Sequence, residues 1–323
     1  MQLPSKITIV EVGPRDGLQN ERAPVDTADK VAFVDRLSNA GHQVIEVSAF
    51  VSPKWVPQMA DAAEVLAGIT RKSGVRYTAL VPNRQGLERA VAAGVSEVAI
   101  FAAASDTFSR RNINQSIDES LTNYAAVCAD AKTAGLRVRG YLSTCFVCPF
   151  EGPIAPERVA EISERLIDIG VYEVAISDTI GAATPGDVLR VLETVGVNLP
   201  LHQTALHFHD TRGTALANVL AGLDCGVTTF DSSAGGLGGC PFAPGAAGNL
   251  ATEDLLFMLN GLGIDTGVSI DEVADASRFI ETKLDHRLPS RYLQAPPISN
   301  RQSAISNQQS AISNQQINPK SKI

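Results

Sequence analysis

Two histidines, His207 and His209, stand one residue apart near the end of a short apolar segment. If this segment is a β-strand, both imidazoles point to the same face, because side chains alternate along a strand. Two imidazoles on one face, with Asp16 as a further donor, are typical of a site for Mg²⁺, Mn²⁺, Fe²⁺ or Zn²⁺, whereas a lone histidine is more often a core residue. Cys145 and Cys148 have no second CxxC pair, which argues against a structural zinc site.

Charged residues also stand where other apolar segments end. The first of these segments leads into Arg15 and Asp16. Glu46 lies inside the second segment, and Asp178 ends the sixth. A carboxylate buried in a strand requires a partner, and Arg15 is the candidate partner of Glu46. A turn held only by an Arg15–Asp16 ion pair is the alternative interpretation.

A glycine-rich stretch, GGLGGCPF at residues 235–242, follows the last apolar segment. Its glycines give the backbone little conformational preference, which suits a loop that closes over a ligand. The Gly-Lys-Ser/Thr ending of a nucleotide-binding loop is absent. Cys240 is either an inert thiol or an acid–base group, and Asn249 either caps a helix or contacts a ligand. Glu253 lies in the helical segment that follows.

Eight short β-branched segments alternate with helix-like segments and must position these side chains. Each is bounded by glycine or a polar cluster, which is typical of strands. Several helix-like segments end on glycine, where a left-handed cap is expected. The predicted strands are Ile7–Gly13, Val44–Phe50, Arg76–Val81, Glu97–Ala102, Arg137–Thr144, Tyr172–Asp178, Ala205–Asp210 and Thr228–Ser232.

Regular alternation of strand and helix requires a parallel sheet, and eight such units in about 250 residues close into a TIM barrel. The alternative, an open doubly wound sheet, usually carries G-x-G-x-x-G after its first strand, whereas GPRDG stands here at residues 13–17. We therefore expect an α/β fold of the (β/α)8 type, with extra C-terminal helices around Asn249–Leu262 and Asp271–Leu284. Barrel enzymes place their chemistry at the carboxyl ends of the strands.

The chain has 323 residues, of which 44% are hydrophobic, and a formal net charge of −8. An acidic protein has no general attraction for nucleic-acid phosphates, and no apolar run reaches the ~18 residues of a membrane-spanning helix. Any anionic substrate would therefore need a local positive site. Five scattered cysteines, and a strand-like segment that starts by Ile7, indicate a cytoplasmic protein without a leader peptide.

Residues 298–323 repeat a seven-residue unit, as ISNRQSA, ISNQQSA and ISNQQIN. One isoleucine in each of the first two units and two in the third cannot form the apolar seam of a coiled coil, so we expect a disordered low-complexity tail. This tail holds three basic residues and no acidic one, which leaves 24 basic against 35 acidic residues in 1–297. We expect residues 1–297 to form one TIM-barrel domain with cap helices.

Six motifs occur in order between residues 11 and 254: EVGPRDGLQNE, FVSPKWVPQM, SDTIG, HFHD, GGLGGCP and GNLATED. Together they resemble the 3-hydroxy-3-methylglutaryl-CoA (HMG-CoA) lyase family, among the pyruvate carboxyltransferase-like TIM-barrel metallolyases. The resemblance covers residues 5–290. Isopropylmalate and homocitrate synthases share the Arg-Asp-Gly turn and the His-x-His pair, but generally lack the glycine–cysteine loop and carry a further C-terminal domain.

The resemblance implies a carbon–carbon lyase that cleaves HMG-CoA to acetyl-CoA and acetoacetate, as in leucine degradation and ketone-body formation. It also implies an acyl-CoA substrate, bound Mg²⁺ or Mn²⁺, and a homodimer. The implied metal-binding residues are Asp16, His207, His209 and Asn249. The implied catalytic or supporting residues are Arg15, Asp16, Glu46, Asp178, His207, Cys240 and Glu253.

The implied reaction is a retro-Claisen cleavage, in which a hydroxyl proton leaves and a thioester enolate forms. A cation would acidify the hydroxyl, and either Asp16 or His207 would accept its proton. Arg15 would stabilise the enolate oxygen, because its charge is permanent. Cys240 would protonate the enolate carbon after its loop closes.

Two other functions compete with this interpretation. Ala49 and Ala175 stand where many relatives carry a hydroxyl, so a lyase or synthase acting on a related 3-hydroxyacyl-CoA or a 2-oxo acid is the first alternative. A catalytically silent barrel that serves as a binding module is the second. The polar residues at the strand ends argue against a silent barrel.

Overall fold

Ten β-strands are present in this computed structural model, which describes residues 3–239 and 248–296. Eight of them form a closed parallel barrel, and β6 and β7 form a separate antiparallel pair. The strands are β1 (Thr8–Glu11), β2 (Val44–Ala49), β3 (Arg76–Leu80), β4 (Glu97–Ala103), β5 (Arg137–Ser143), β6 (Val147–Cys148), β7 (Gly152–Pro153), β8 (Glu173–Asp178), β9 (Thr204–Phe208) and β10 (Thr229–Ser232).

Eleven α-helices occur in the described ranges, and most of them connect one barrel strand to the next. Such crossovers are what parallel neighbours require. The helices are α1 (Thr27–Asn39), α2 (Ala62–Gly68), α3 (Arg84–Ala92), α4 (Asp106–Ile113), α5 (Ile117–Thr133), α6 (Pro156–Asp168), α7 (Pro185–Val195), α8 (Ala215–Asp224), α9 (Thr252–Leu262), α10 (Ile270–Glu281) and α11 (Arg291–Gln294).

The barrel closes because β1 pairs in parallel with both β10 and β2. Thr8 lies opposite Thr229, and Val10 lies opposite Val44. The remaining strands follow in chain order around the barrel. The closed sheet and its surrounding helices confirm the predicted TIM barrel, and every predicted strand is present.

Apolar side chains fill the layer between the strands and the helices. Phe33 of α1, Ile45 of β2, Tyr77 of β3 and Phe230 of β10 are all fully buried there. Burial of one such side chain contributes roughly 1.5–3 kcal/mol. This packing makes the barrel a rigid support, on which the strand ends can hold polar side chains in fixed positions.

The two predicted C-terminal helices, α9 and α10, complete the outer layer. α9 packs beside α8, and α10 packs against both α9 and α1. The sequence analysis did not predict α2, α4 or the β6–β7 pair. Within the described ranges, no helix is both long and apolar enough to cross a membrane. Cys240 and the repeat tail, residues 298–323, lie outside the described residues.

Candidate active site

A tight π-helical turn, Gly13–Gly17, follows β1 and carries Arg15 and Asp16 to the open end of the barrel. We call this end, at the carboxyl ends of the strands, the mouth. The backbone N–H groups of Asp16 and Gly17 both donate to the Val12 carbonyl, at 2.8 and 3.1 Å. A Cβ atom at Gly17 would lie 2.7 Å from Cβ of Leu237, so glycine allows the turn to pack this closely.

Three side chains at the mouth could hold a metal ion. Asp16, His207 and His209 each offer one ligand atom, and these atoms all lie within 4.8 Å of one another. Nε2 of His207 is 3.9 Å from Oδ2 of Asp16. The structure therefore brings together His207 of β9, His209 just after this strand and Asp16 of the first turn, which are the candidate ligands expected from the sequence.

Asn249 lies beside this cluster. Its Nδ2 atom donates to Asp16 Oδ2 at 2.9 Å and to the Leu237 carbonyl at 3.0 Å. Helix α9 begins at Thr252, with Ala251 at its N-cap position, so the interpretation of Asn249 as the cap of this helix is wrong. The amide instead contacts the candidate metal site.

The donor set fits a divalent cation. Oδ1 of Asn249 and Nδ1 of His209 are buried and have no hydrogen-bond partner among the described residues. Burial, together with nearby His207, lowers the pKa of His209 to about 4, so its imidazole is neutral at neutral pH. Burial opposes ionisation of Asp16, but Arg15 and His207 hold its pKa below the usual range. Neutral imidazole and ionised carboxylate are the forms that bind metals.

Arg15 joins this cluster to a second buried acid. Its Nε donates to Glu46 Oε2 at 2.6 Å, and its Nη1 donates to Asp16 Oδ1 at 2.6 Å. The predicted pairing of Arg15 with Glu46 is therefore confirmed, and the Arg15–Asp16 pair also exists. The hydroxyl of Tyr141 donates to the same Glu46 oxygen at 3.2 Å. Burial raises the pKa of Glu46, while the Arg15 charge opposes this rise.

Two further acids named from the sequence hold backbone turns near the mouth. The two oxygens of Asp178 accept from the N–H groups of Ala182 and Ala183, both at 2.9 Å, and burial raises its pKa. Glu253 accepts from the Gly235 N–H at 2.9 and 3.1 Å and from the Ser277 hydroxyl. Burial raises the pKa of Glu253 to about 7. Both acids therefore fix the backbone at these turns by accepting its N–H groups.

A set of charged residues inside the barrel was missed by the sequence analysis. Asp231 of β10 contacts His207, and Arg139 of β5 contacts both Asp231 and Glu173. All three are buried, and the sequence carries the same signal that identified Glu46, a charge inside an apolar strand. That rule, applied to every strand, would have found them.

A cavity of about 880 Å³ opens from the cluster of Asp16, His207 and His209 to the surface. Arg15, Asp16, His207 and His209 line its floor. Its rim carries Gly239, the last described residue before Cys240. Further lining residues include Asn20, Trp55, Arg84, Arg111, Tyr141, Ser143 and Ser177. The cavity is large enough for a sizeable organic ligand, with the charged groups at its base.

The chain shares its sequence and fold with known proteins. It is 50% identical over 294 residues to hydroxymethylglutaryl-CoA lyase YngG of Bacillus subtilis, covering 91% of this chain and 98% of that protein. The crystal structure of hydroxymethylglutaryl-CoA lyase from Pseudomonas aeruginosa has 52% identity and a TM-score of 0.90, and the match covers 91% of this chain and 98% of that one. An Acinetobacter baumannii HMG-CoA lyase, solved with coenzyme A and 3-methylmalate, has 38% identity and a TM-score of 0.88. This match covers 92% of this chain and 97% of that one. The HMGL-like family matches residues 6–280, and the chain belongs to this family.

Proposed function

We propose that this protein is a metal-dependent lyase that cleaves HMG-CoA to acetyl-CoA and acetoacetate. The observation that carries the proposal is the Asp16, His207 and His209 cluster, which lies beside Arg15 on the floor of an open cavity. The similarity to proteins named as HMG-CoA lyases, over about nine-tenths of the chain, supports the same substrate.

Four side chains would hold the cation: the carboxylate of Asp16, the imidazoles of His207 and His209, and the amide oxygen of Asn249. When bound, a Mg²⁺ or Mn²⁺ ion supplies a Lewis acid that lowers the pKa of a coordinated hydroxyl. Both ions accept oxygen and nitrogen donors. The proposal therefore includes either ion.

The hydroxyl proton of the substrate has two candidate acceptors, Asp16 and His207. Asp16 is ionised, and its oxygens already accept hydrogen bonds from Arg15 and Asn249, which makes it a weak base. Nε2 of His207 faces the same space, and its use as a metal ligand would compete with its use as a base. After the proton moves to either group, the electron pair of the O–H bond would form the ketone, the bond between C2 and C3 would break, and its electron pair would pass to the thioester enolate.

Arg15 would stabilise the thioester enolate that this cleavage leaves. Its guanidinium is fixed by Glu46 and Asp16, so little reorganisation is needed as negative charge develops. Such fixed donors contribute about 3–4 kcal/mol to a transition state. Tyr141 holds Glu46 from the far side and completes the support.

Protonation of the enolate carbon would fall to Cys240. Gly239, the residue before this cysteine, lines the cavity, and its carbonyl accepts a hydrogen bond from Asn20 at 2.9 Å. Asp178 and Glu253 would act as supporting residues through the loops they hold.

The acyl-CoA substrate would extend from the proposed metal site towards the rim of the cavity. Arg84 and Arg111 line the outer part of the cavity and are candidate partners for the phosphates of the CoA group. The solved complex of the Acinetobacter baumannii relative with coenzyme A supports this class of ligand. We also propose a homodimer, a cytoplasmic location, and participation in leucine degradation and ketone-body formation.

A product assay by mass spectrometry tests this function. The purified protein is incubated with Mg²⁺ or Mn²⁺ and a panel of 3-hydroxyacyl-CoA substrates, and separately with acetyl-CoA and 2-oxo acids. We expect acetyl-CoA and acetoacetate from HMG-CoA, and no release of free thiol in the second set. Condensation with a 2-oxo acid would instead identify a synthase, and no product in either set would favour a silent binding module.

A further inference from the structure

A row of three buried charges runs across the inside of the barrel behind His207. Nε of Arg139 donates to Glu173 Oε1 at 2.8 Å. The Arg139 Nη1 and Nη2 atoms donate to Asp231 Oδ2 and Oδ1, at 3.1 and 2.8 Å. Asp231 Oδ2 also lies 3.1 Å from Nδ1 of His207. The row therefore ends on one of the candidate metal ligands.

The Arg139–Glu173 and Asp231–His207 contacts join neighbouring strands, whereas the Arg139–Asp231 contact joins strands that are not neighbours. β5 carries Arg139 and β10 carries Asp231, and β8 and β9 lie between them in the barrel. The Arg139–Asp231 contact must therefore cross the barrel interior, a place usually filled by branched apolar side chains. Burial of ionised groups costs free energy that hydrogen bonds must offset, so a gain in stability does not by itself explain why charges stand here in place of apolar side chains.

The geometry fixes the proton positions on His207. A guanidinium that donates to both oxygens keeps Asp231 ionised, so this carboxylate can only accept hydrogen bonds. Nδ1 of His207 must then carry the hydrogen that points to Asp231. In the neutral imidazole this leaves a lone pair on Nε2, which faces Asp16 Oδ2 at 3.9 Å. The ring is thus oriented with its free nitrogen towards the candidate metal site.

We propose that Asp231, held in place by Arg139 and Glu173, is a positioning residue that selects this tautomer of His207 and thereby sets the affinity of the site for a divalent cation. The inference rests on the proposed metal role of His207. Carboxylates that orient a ligating histidine typically change metal affinity by about 10–100-fold when they are replaced.

His209 provides an internal comparison. Its Nδ1 is buried without a hydrogen-bond partner among the described residues. The ring of His209 lies 5.4 Å from that of His207, centroid to centroid. The support from Asp231 therefore acts on one histidine of the pair, and its removal should alter His207 and leave the tautomer of His209 unchanged.

The test variant is Asp231→Asn. The Arg139 guanidinium would retain the amide oxygen, which turns the amide N–H towards Nδ1 of His207 and favours the opposite tautomer. Long-range ¹H–¹⁵N correlation spectra of metal-free protein labelled with ¹⁵N-histidine report each tautomer directly, and a His207→Gln spectrum assigns the signal. We expect the proton on Nδ1 in the unchanged protein and on Nε2 in the variant.

Titration with Mn²⁺, followed by electron paramagnetic resonance, gives the second readout. We expect the Kd for Mn²⁺ to rise about 10–100-fold in Asp231→Asn. Glu97→Gln is the matched control, because Glu97 is a buried strand carboxylate that accepts from Arg76 and Tyr172 and has no contact with His207 among the described residues. The control should lower stability without changing the tautomer or the Kd.

Two outcomes overturn the inference: a proton on Nε2 of His207 in the unchanged protein, or a folded Asp231→Asn protein with an unchanged tautomer and Kd. If that variant does not fold, Glu173→Gln replaces it, since this change is one contact further from His207; it should raise the Kd in the same direction by a smaller factor, and an unchanged Kd also counts against the inference. No Mn²⁺ binding by the unchanged protein would instead refute the proposed metal site, while the spectra would still test the tautomer.

Discussion

At the scale of single residues, Arg15 connects the two halves of the proposed chemistry. It contacts Asp16, a candidate metal ligand, through one nitrogen and Glu46 through another, each at 2.6 Å. The guanidinium is almost completely buried, and its pKa is raised above its usual range, since Glu46 and Asp16 outweigh the effect of burial. It therefore stays charged and fixed at any working pH.

Arg15→Lys tests this role. Lysine keeps the charge but cannot reproduce the planar guanidinium fork that bonds two carboxylates. We expect kcat for HMG-CoA cleavage to fall about 10²–10³-fold, the usual effect of losing a fixed donor to a developing oxyanion. Arg165→Lys serves as control, because Arg165 bonds Asp118 at the surface. A kcat close to that of the unchanged protein would remove Arg15 from the mechanism.

Cys240→Ala tests the proposed carbon acid. The thiol is asked to deliver a proton only after the substrate is bound, so its loss should leave substrate affinity nearly unchanged and lower turnover by orders of magnitude. Steady-state kinetics and a binding titration with HMG-CoA separate the two effects. Cys225→Ala, a change at a partly buried thiol in another part of the chain, is the control. Unchanged turnover in Cys240→Ala would contradict the assignment.

At the scale of elements, the strand ends could be predicted from the sequence because side-chain alternation and burial rules apply to each strand separately. Those rules placed His207 and His209 on one face and paired Glu46 with Arg15. They could not show that Arg139 and Asp231 meet, because that contact depends on how strands three positions apart face one another across the barrel. The turn held by Asp178 likewise depends on backbone geometry that residue types do not specify.

Glu253 makes the stability of the protein dependent on pH. Burial raises its pKa from 4.5 to about 7, so between these values the folded state holds a proton that the unfolded state has lost. The stability that this extra proton gives to the folded protein is fully present below pH 4.5 and is lost as pH rises through 7. The slope is about 1.4 kcal/mol per pH unit, or roughly 3 kcal/mol in total.

Glu253→Gln removes this titration while keeping an oxygen that can accept from Gly235. We therefore expect the variant to gain stability relative to the unchanged protein, with its free energy of unfolding rising by up to roughly 3 kcal/mol in that comparison from pH 5 to pH 8. Urea denaturation at several pH values measures it. Glu272→Gln at the exposed start of α10 is the control. A difference that does not vary with pH would show that Glu253 is ionised throughout.

At the scale of the whole molecule, the order of β and α segments was enough to predict a closed barrel, since eight parallel strands joined by helices have few ways to bury their apolar faces. The positions of α9 and α10 were less accessible to sequence reasoning. They cover the barrel between α8 and α1 through contacts between the first and last parts of the chain.

Deletion of residues 298–323 tests the predicted domain boundary. The repeats offer one or two isoleucines in seven residues, too little apolar surface to add to the packing of a barrel. We expect the shortened protein to keep its Tm and its kcat within experimental error, with a formal charge changed from −8 to −11 by loss of three basic residues. A large fall in Tm would place the tail within the folded domain.

The central claim is cleavage of HMG-CoA that depends on a cation held by Asp16, His207 and His209. The most direct measurement is the amount of acetyl-CoA and acetoacetate formed, by mass spectrometry, before and after exhaustive treatment with EDTA and again after Mg²⁺ or Mn²⁺ is restored. The account predicts equal amounts of the two products, their loss on chelation and their return with the cation. Cleavage that survives chelation, or none with either ion, would contradict it.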